Sequence, residues 1–203
     1  MKFEELLAVV GDEPVFETGL LLAGDRDPAD VRRQLSRWAA GGRISQLRRG
    51  LYALAPPYVR SPPHPFLVAN RLVRGSYVSL LSALAHHGLI PEYVPVTTSV
   101  TTSRPGSWSN PFGRFTYRHL DKGLFGGCGL EPLGLGQHAF VASPAKALAD
   151  LVHLVPGADS PAYLDALRLD GEWVRQLDPD ATPLASRPKV RRAFEHLAAA
   201  SAA

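Results

Sequence analysis

Six residues in two short stretches carry the most pointed chemistry in this sequence: Arg32, Arg33, Ser36 and Arg37, followed by Arg48 and Arg49. A guanidinium is a permanently charged planar fork that grips phosphate oxygens or a guanine edge through two parallel hydrogen bonds, and a serine hydroxyl adds a phosphate contact. At about 100° per residue, Arg33, Ser36 and Arg37 fall on the helix face opposite a stripe of Val31, Leu35 and Trp38. Arg32 lies on the flank, and Ala29 leaves that face open to close approach. Arg48 and Arg49 stand before Gly50, between two β-rich runs, where a hairpin tip would hold them.

The charge around these residues is one-sided. Residues 31 to 91 contain nine arginines and no acid, a balance of +9. Residues 1 to 30 hold eight acids against two bases, −6, and residues 92 to 203 balance, so the whole chain shows only +3. Nine uncompensated positive charges call for an anionic partner or for solvent. A high-GC coding bias accounts for arginine over lysine but not for the missing acids. The competing reading is a solvated basic helix and hairpin in an ordinary α+β domain.

The elements that would position the six residues can be read locally. Phe3, Leu6, Leu7 and Val10 repeat at helical spacing, and Thr18 to Ala23 forms a second short apolar piece. Asp27 is placed to cap a third helix, with Pro28 at its first position, Asp30 in its first turn and Gly41-Gly42 at its end. Residues 43 to 54 then read as a hairpin. Helix, helix, basic helix and basic hairpin is the order of a winged helix-turn-helix, whose third helix enters the major groove while the wing follows the backbone. Five prolines between Ala55 and Pro65 suit a stiff spacer. The expected organisation is therefore a DNA-binding domain over residues 1–55, a linker over 56–64 and a second domain over 65–203.

In the second domain, helices are expected over Pro65 to Leu72, Ser76 to His87 with Gly88 as terminator, Ser143-Pro144 through Val152, and Lys189 onward, with a frayed alanine-rich tail. Tyr93 to Thr102 and Gly113 to Leu120 read as strands, with a turn at Asn110-Pro111-Phe112-Gly113. The fold class expected is α+β: a winged helix-turn-helix followed by a mixed α/β domain with an antiparallel sheet.

Other chemistry finds little support. With 45% hydrophobic and 20% charged residues, and 18 each of Gly and Pro without a collagen period, the chain is globular and much interrupted by turns. Cys128 is the single cysteine, which excludes an internal disulfide and a CxxC zinc pair. No HxxxH or HExxH pair exists, and His86 and His87 point to different sides of a helix, so no metal and no cofactor is expected. Gly134-Leu-Gly136-Gln-His-Ala139 fits the letter of a dinucleotide fingerprint but leads into strand-like Phe140-Val141-Ala142, so it reads as loop. Ser79 and Ser82 lack a nucleophile elbow, and no pair of carboxylates forms a motif. An enzyme is not expected. An acidic N-terminus and the absence of a long apolar run argue against secretion and membrane insertion and for the cytoplasm.

Several consecutive blocks share an order: RRGLYAL (Arg48 to Leu54), PFLVANRL (Pro65 to Leu72), GSYVSLLSALAHHGLIPE (Gly75 to Glu92), VTTSVTT (Val96 to Thr102), NPFGRFTYRHL (Asn110 to Leu120) and VASPAKALADLV (Val141 to Val152). In these blocks, from about Phe16 to Val152, the chain resembles the AbiEi family, the antitoxin and transcriptional-regulator half of abortive-infection toxin–antitoxin pairs. The resemblance implies a winged helix that represses its own operon; because one winged helix reads only a short half-site, two copies on an inverted repeat of operator DNA are expected, as a homodimer or cooperatively. It also implies a second domain that counteracts a cognate nucleotidyltransferase toxin. By matching position, DNA contacts fall on Arg32, Arg33, Ser36, Arg37, Arg48 and Arg49. The chain departs from the family pattern at Ala145 and Leu81, where an acid is frequent, and residues 153–203 match no block. The alternative is a ligand-sensing winged-helix transcription factor.

Overall fold

The computed structural model describes residues 1–23 and 26–201. Asp25, one of the eight N-terminal acids, and the last two residues of the alanine-rich tail lie outside them.

The first elements follow from local signals. Helix α1 (Phe3–Val10) buries Phe3, Leu6 and Val10. Strand β1 (Phe16–Glu17) and the single-turn helix α2 (Thr18–Leu21) come next. Helix α3 (Pro28–Ala40) starts where Asp27 accepts hydrogen bonds from the backbone N–H of Ala29 and Asp30, and buries Val31, Leu35 and Trp38. Strands β2 (Ile44–Arg48) and β3 (Leu51–Leu54) form the expected hairpin, and β1 adds to it in the antiparallel order β1-β3-β2.

This small sheet is a middle layer. All four residues of β3 are buried, and their alternation sends Tyr52 and Leu54 into the core of α1 and α3, while Leu51 and Ala53 face the other way. There they join Val15 and Leu47 against Val68, Ala69 and Leu72 of α4 (Pro65–Leu72). The proline-rich segment between the two units is docked: Tyr58 packs edge-on to Phe3, and the Gln137 side chain accepts from His64 N–H at 2.7 Å and donates to Pro62 C=O at 3.0 Å.

The second unit holds a six-stranded sheet built from β4 (Ser76–Val78), β5 (Val96–Thr101), β6 (Gly106–Asn110), β7 (Gly113–His119), β8 (Cys128–Gly134) and β9 (Gln137–Ala142), in the order β6-β7-β5-β4-β9-β8. The antiparallel sheet expected from sequence is corrected to a mixed one, because β4 pairs with β9 and β5 with β7 in parallel. A strand's own composition does not say which neighbour it takes; the parallel pairs arise because β6 and β8 occupy the two edges. The helix expected over Ser76 to His87 is also corrected. Ser76, Tyr77 and Val78 are drawn into the sheet beside Ser99 to Thr101, and α5 (Leu80–His86) begins only after them, at Leu80 with φ 53°. Strands β6 and β8 were not expected. Leu135 and Gly136 are the turn of the β8–β9 hairpin; the loop expected over Gly134 to Ala139 is corrected to that turn, since Gly134 ends β8 and Gln137, His138 and Ala139 pair in β9.

Helices α6 (Pro144–Leu154), α7 (Pro161–Ala166), α8 (Gly171–Gln176) and α9 (Pro188–Ser201) complete the described chain. Helix α6 contributes eight buried residues, among them Lys146 and Asp150. No helix among the described residues is long and apolar enough to cross a membrane.

Candidate nucleic-acid interface

The buried stripe of α3 dictates the position of its polar face. With Val31, Leu35 and Trp38 turned inward, Arg32, Arg33, Ser36 and Arg37 are all exposed. Gly41 and Gly42 end the helix, Gly42 at φ 68°, and Arg43 then lays its guanidinium over the Phe3 ring, 5.1 Å from the centroid.

The hairpin tip is set by a register shift between Gln46 and Arg48 and by Gly50 at φ 81°. The backbone N–H of Thr18, the first residue of α2, donates to Gly50 C=O at 3.0 Å and ties the tip to the helical layer. A groove of about 430 Å³ opens between α3 and the hairpin. Arg32 and Ser36 line one side, Arg49, Gln46 and Tyr52 the other, and Thr18 and Leu22 the end, with no carboxylate among the described residues of the lining. Burial pushes the Tyr52 hydroxyl's pKa up, so it stays a neutral hydrogen-bonding group.

The six sequence-selected residues thus separate. Arg32, Ser36 and Arg49 converge on one groove. Arg33 and Arg37 lie on the adjoining exposed face of α3, outside the groove lining, and Arg33 is engaged by Asp30 one turn earlier, Nη2 to Oδ1 3.0 Å. Arg48 lies outside the groove lining and reaches toward α4. Its Nε donates to Leu72 C=O at 3.0 Å, at the end of α4, and its Nη1 to Arg49 C=O at 3.1 Å. A guanidinium in that position satisfies one of the carbonyls a helix leaves unpaired at its C-terminus.

Sequence reasoning missed Thr18, Gln46 and Tyr52 as groove residues. The hairpin's alternation was the available signal for Gln46 and Tyr52, which are cross-strand partners; nothing in the sequence pointed to Thr18. The acids of the first thirty residues take up part of the arginine excess. Asp30 pairs with Arg33, Asp12 with Arg60 at 2.7 Å, and Glu17 with Arg74 at 2.6 Å. Arg32, Arg37, Arg43 and Arg49 pair with no acid among the described residues.

No family of known proteins and no curated protein matches this chain by sequence. Among solved structures, it is similar to the crystal structure of the RV2827C protein from Mycobacterium tuberculosis. The two superpose with a TM-score of 0.56 at 17% identity, over 98% of this chain and 76% of that one. At that identity the likeness is one of fold: nearly all of this chain, helical layer, small sheet and six-stranded sheet together, has its counterpart in one solved architecture.

Proposed function

We propose that the protein is a winged-helix transcriptional repressor and antitoxin of the AbiEi type, acting in the cytoplasm, without enzymatic activity of its own. The observation that carries the DNA-binding half is the groove in which Arg32 and Ser36 of α3 face Arg49 of the hairpin, with no acid in its lining among the described residues. In this reading α3 enters the major groove of double-stranded operator DNA and the hairpin is the wing. One such unit reads a short half-site, so two copies occupy an inverted repeat, as a homodimer or cooperatively.

The antitoxin half rests on the resemblance, and two of its blocks meet in space. Tyr77 and Ser79 of the GSYVSLLSAL block both donate to Asp150 of the SPAKALAD block, at 3.0 and 2.7 Å. These motif residues hold the second unit together, which leaves its surface to meet a nucleotidyltransferase toxin. The two departures from the pattern sit inside that scaffold, Ala145 buried and Leu81 half-buried.

Both halves can be tested on the full chain. Operator binding is measured across a salt series for the wild type and the Arg32→Ala/Arg49→Ala double variant. The double variant is expected to bind more weakly and to lower the slope of log K against log salt by about 0.9 per lost phosphate contact. Binding identical to wild type would reject the groove as the interface. Co-expression with an adjacent nucleotidyltransferase gene should relieve growth arrest, and the same variant should still relieve it.

A further inference from the structure

On the second unit, a cleft of about 470 Å³ that shares no lining residue with the α3 groove opens between the start of α4, helix α5 and the β6–β7 turn. Its lining includes five aromatic rings. The rings of His64 and His86 flank Phe66 at centroid distances of 5.1 and 5.3 Å, and Phe112 and Tyr93 complete the walls. Tyr93 is 89% exposed, so its ring gains almost nothing from folding where it stands. Arg114, the second residue of β7, stands exposed at the rim and pairs with no carboxylate among the described residues. Glu92, the one carboxylate in the lining among the described residues, is occupied by the Arg168 guanidinium, which donates to it from both Nε and Nη2.

The His64 imidazole is set as a neutral hydrogen-bonding group. His64 Nδ1 accepts from Phe66 N–H at 3.1 Å, which leaves the ring proton on Nε2 as a donor with no partner among the described residues. Burial holds both histidines below the usual imidazole range, so they do not compete with Arg114 as cations.

We propose that this cleft binds a mononucleotide, with the base stacked among the Phe66, Phe112 and Tyr93 rings and the phosphate held by Arg114. Stacking on aromatic rings accepts any base face, a forked guanidinium suits phosphate, and the volume lies in the range of small-ligand sites. The inference stands apart from the operator-binding reading, because it uses none of the residues of the α3 groove.

The test is calorimetric titration of the full chain with each of the four ribonucleoside monophosphates, at millimolar concentration, and with the corresponding nucleosides. Saturable one-site binding of at least one mononucleotide is expected. Removing the phosphate, or Arg114→Ala, should weaken it roughly tenfold, as befits a charge-assisted bidentate contact. Tyr93→Ala should weaken nucleotide and nucleoside alike by roughly fivefold or more, the loss of one stacking partner. Both side chains are exposed, so the variants should melt with the wild type. No saturable binding of any mononucleotide overturns the proposal, as does binding unchanged in both variants, or binding confined to an oligonucleotide.

Discussion

Charge is used in opposite ways in two regions of this molecule. Around the α3 groove, Arg32 and Arg49 stand in solvent without an acidic partner among the described residues, and their charge is available to something outside the chain. Inside the second unit, Lys146 and Asp150 are completely buried and spend their charge on each other, Nζ to Oδ1 2.6 Å. The Asp150 carboxyl also accepts from Tyr77 and Ser79, and Lys146 Nζ donates to Leu124 C=O at 3.0 Å. Burial pushes the Asp150 carboxyl's pKa upward, while Lys146, Ser79 and Tyr77 oppose it by favouring the ionised form; both oxygens accept hydrogen bonds, as a carboxylate does. The same desolvation pushes the Tyr77 hydroxyl far up, keeping it protonated as a donor. A charge facing water contributes little to folding and much to recognition, whereas a buried pair is tied to the integrity of the fold.

Removing one member of the buried pair should produce the largest effect. Lys146→Met leaves Asp150 without its cation, and a stability loss of about 3–5 kcal/mol is expected in denaturant unfolding. Lys146→Met combined with Asp150→Leu should recover a substantial part of that loss, since it removes the stranded charge as well. Equal losses in the single and double variants would show that packing, rather than charge, dominates the site.

Next in size is Gly127→Ala. Gly127 sits at φ 69°, and an added Cβ would lie 3.2 Å from Cβ and Cγ of the immobile Lys146 stem. Left-handed backbone and overpacking together should cost about 1–3 kcal/mol. Operator affinity measured on the folded fraction should not change, which would separate the scaffold from the recognition surface.

The neighbouring arginines at the hairpin tip sharpen the contrast within one turn. Arg48→Ala removes the hydrogen bond to Leu72 C=O and should lower stability by about 1 kcal/mol while leaving the salt slope of DNA binding in place. Arg49→Ala should do the reverse, flattening the slope by about 0.9 with little change in the melting temperature. If Arg48→Ala flattened the slope as strongly, Arg48 would have to leave Leu72 in order to meet DNA.

How much of this was legible follows from where each signal resides. Asp27, Pro28 and Gly41-Gly42 mark α3 in the sequence itself, and the apolar stripe fixes its polar face, so Arg32 and Ser36 could be placed from local rules. Gly50 did the same for the hairpin. The divergence of Arg48 from Arg49 was hidden because it depends on a carbonyl 24 residues away. Strand β6 is Gly-Ser-Trp-Ser-Asn and β8 carries Pro132, so neither has strand-forming composition, and each owes its conformation to the neighbour it pairs with. The i,i+4 spacing of Lys146 and Asp150 is the same as that of an exposed helix pair, and burial is a property of the elements packed over them, so the spacing alone does not separate the two.

The smallest effect tests whether the acidic N-terminus tunes the basic face. Asp30 sits in the first turn of α3, where it favours the helix dipole, and its carboxylate also holds Arg33. That hydrogen bond keeps the Asp30 carboxyl below its ordinary range, so the carboxylate stays charged throughout neutral and mildly acidic conditions and competes with a phosphate for Arg33. Asp30→Asn removes the competing charge while keeping a side chain of similar shape. It should tighten binding to unrelated DNA by about twofold, the scale of a single exposed helix pair. Operator and unrelated duplex should gain equally if Arg33 meets phosphate. A gain confined to operator would place Arg33 on a base edge, and in the Asp30→Asn/Arg33→Ala background either gain should vanish.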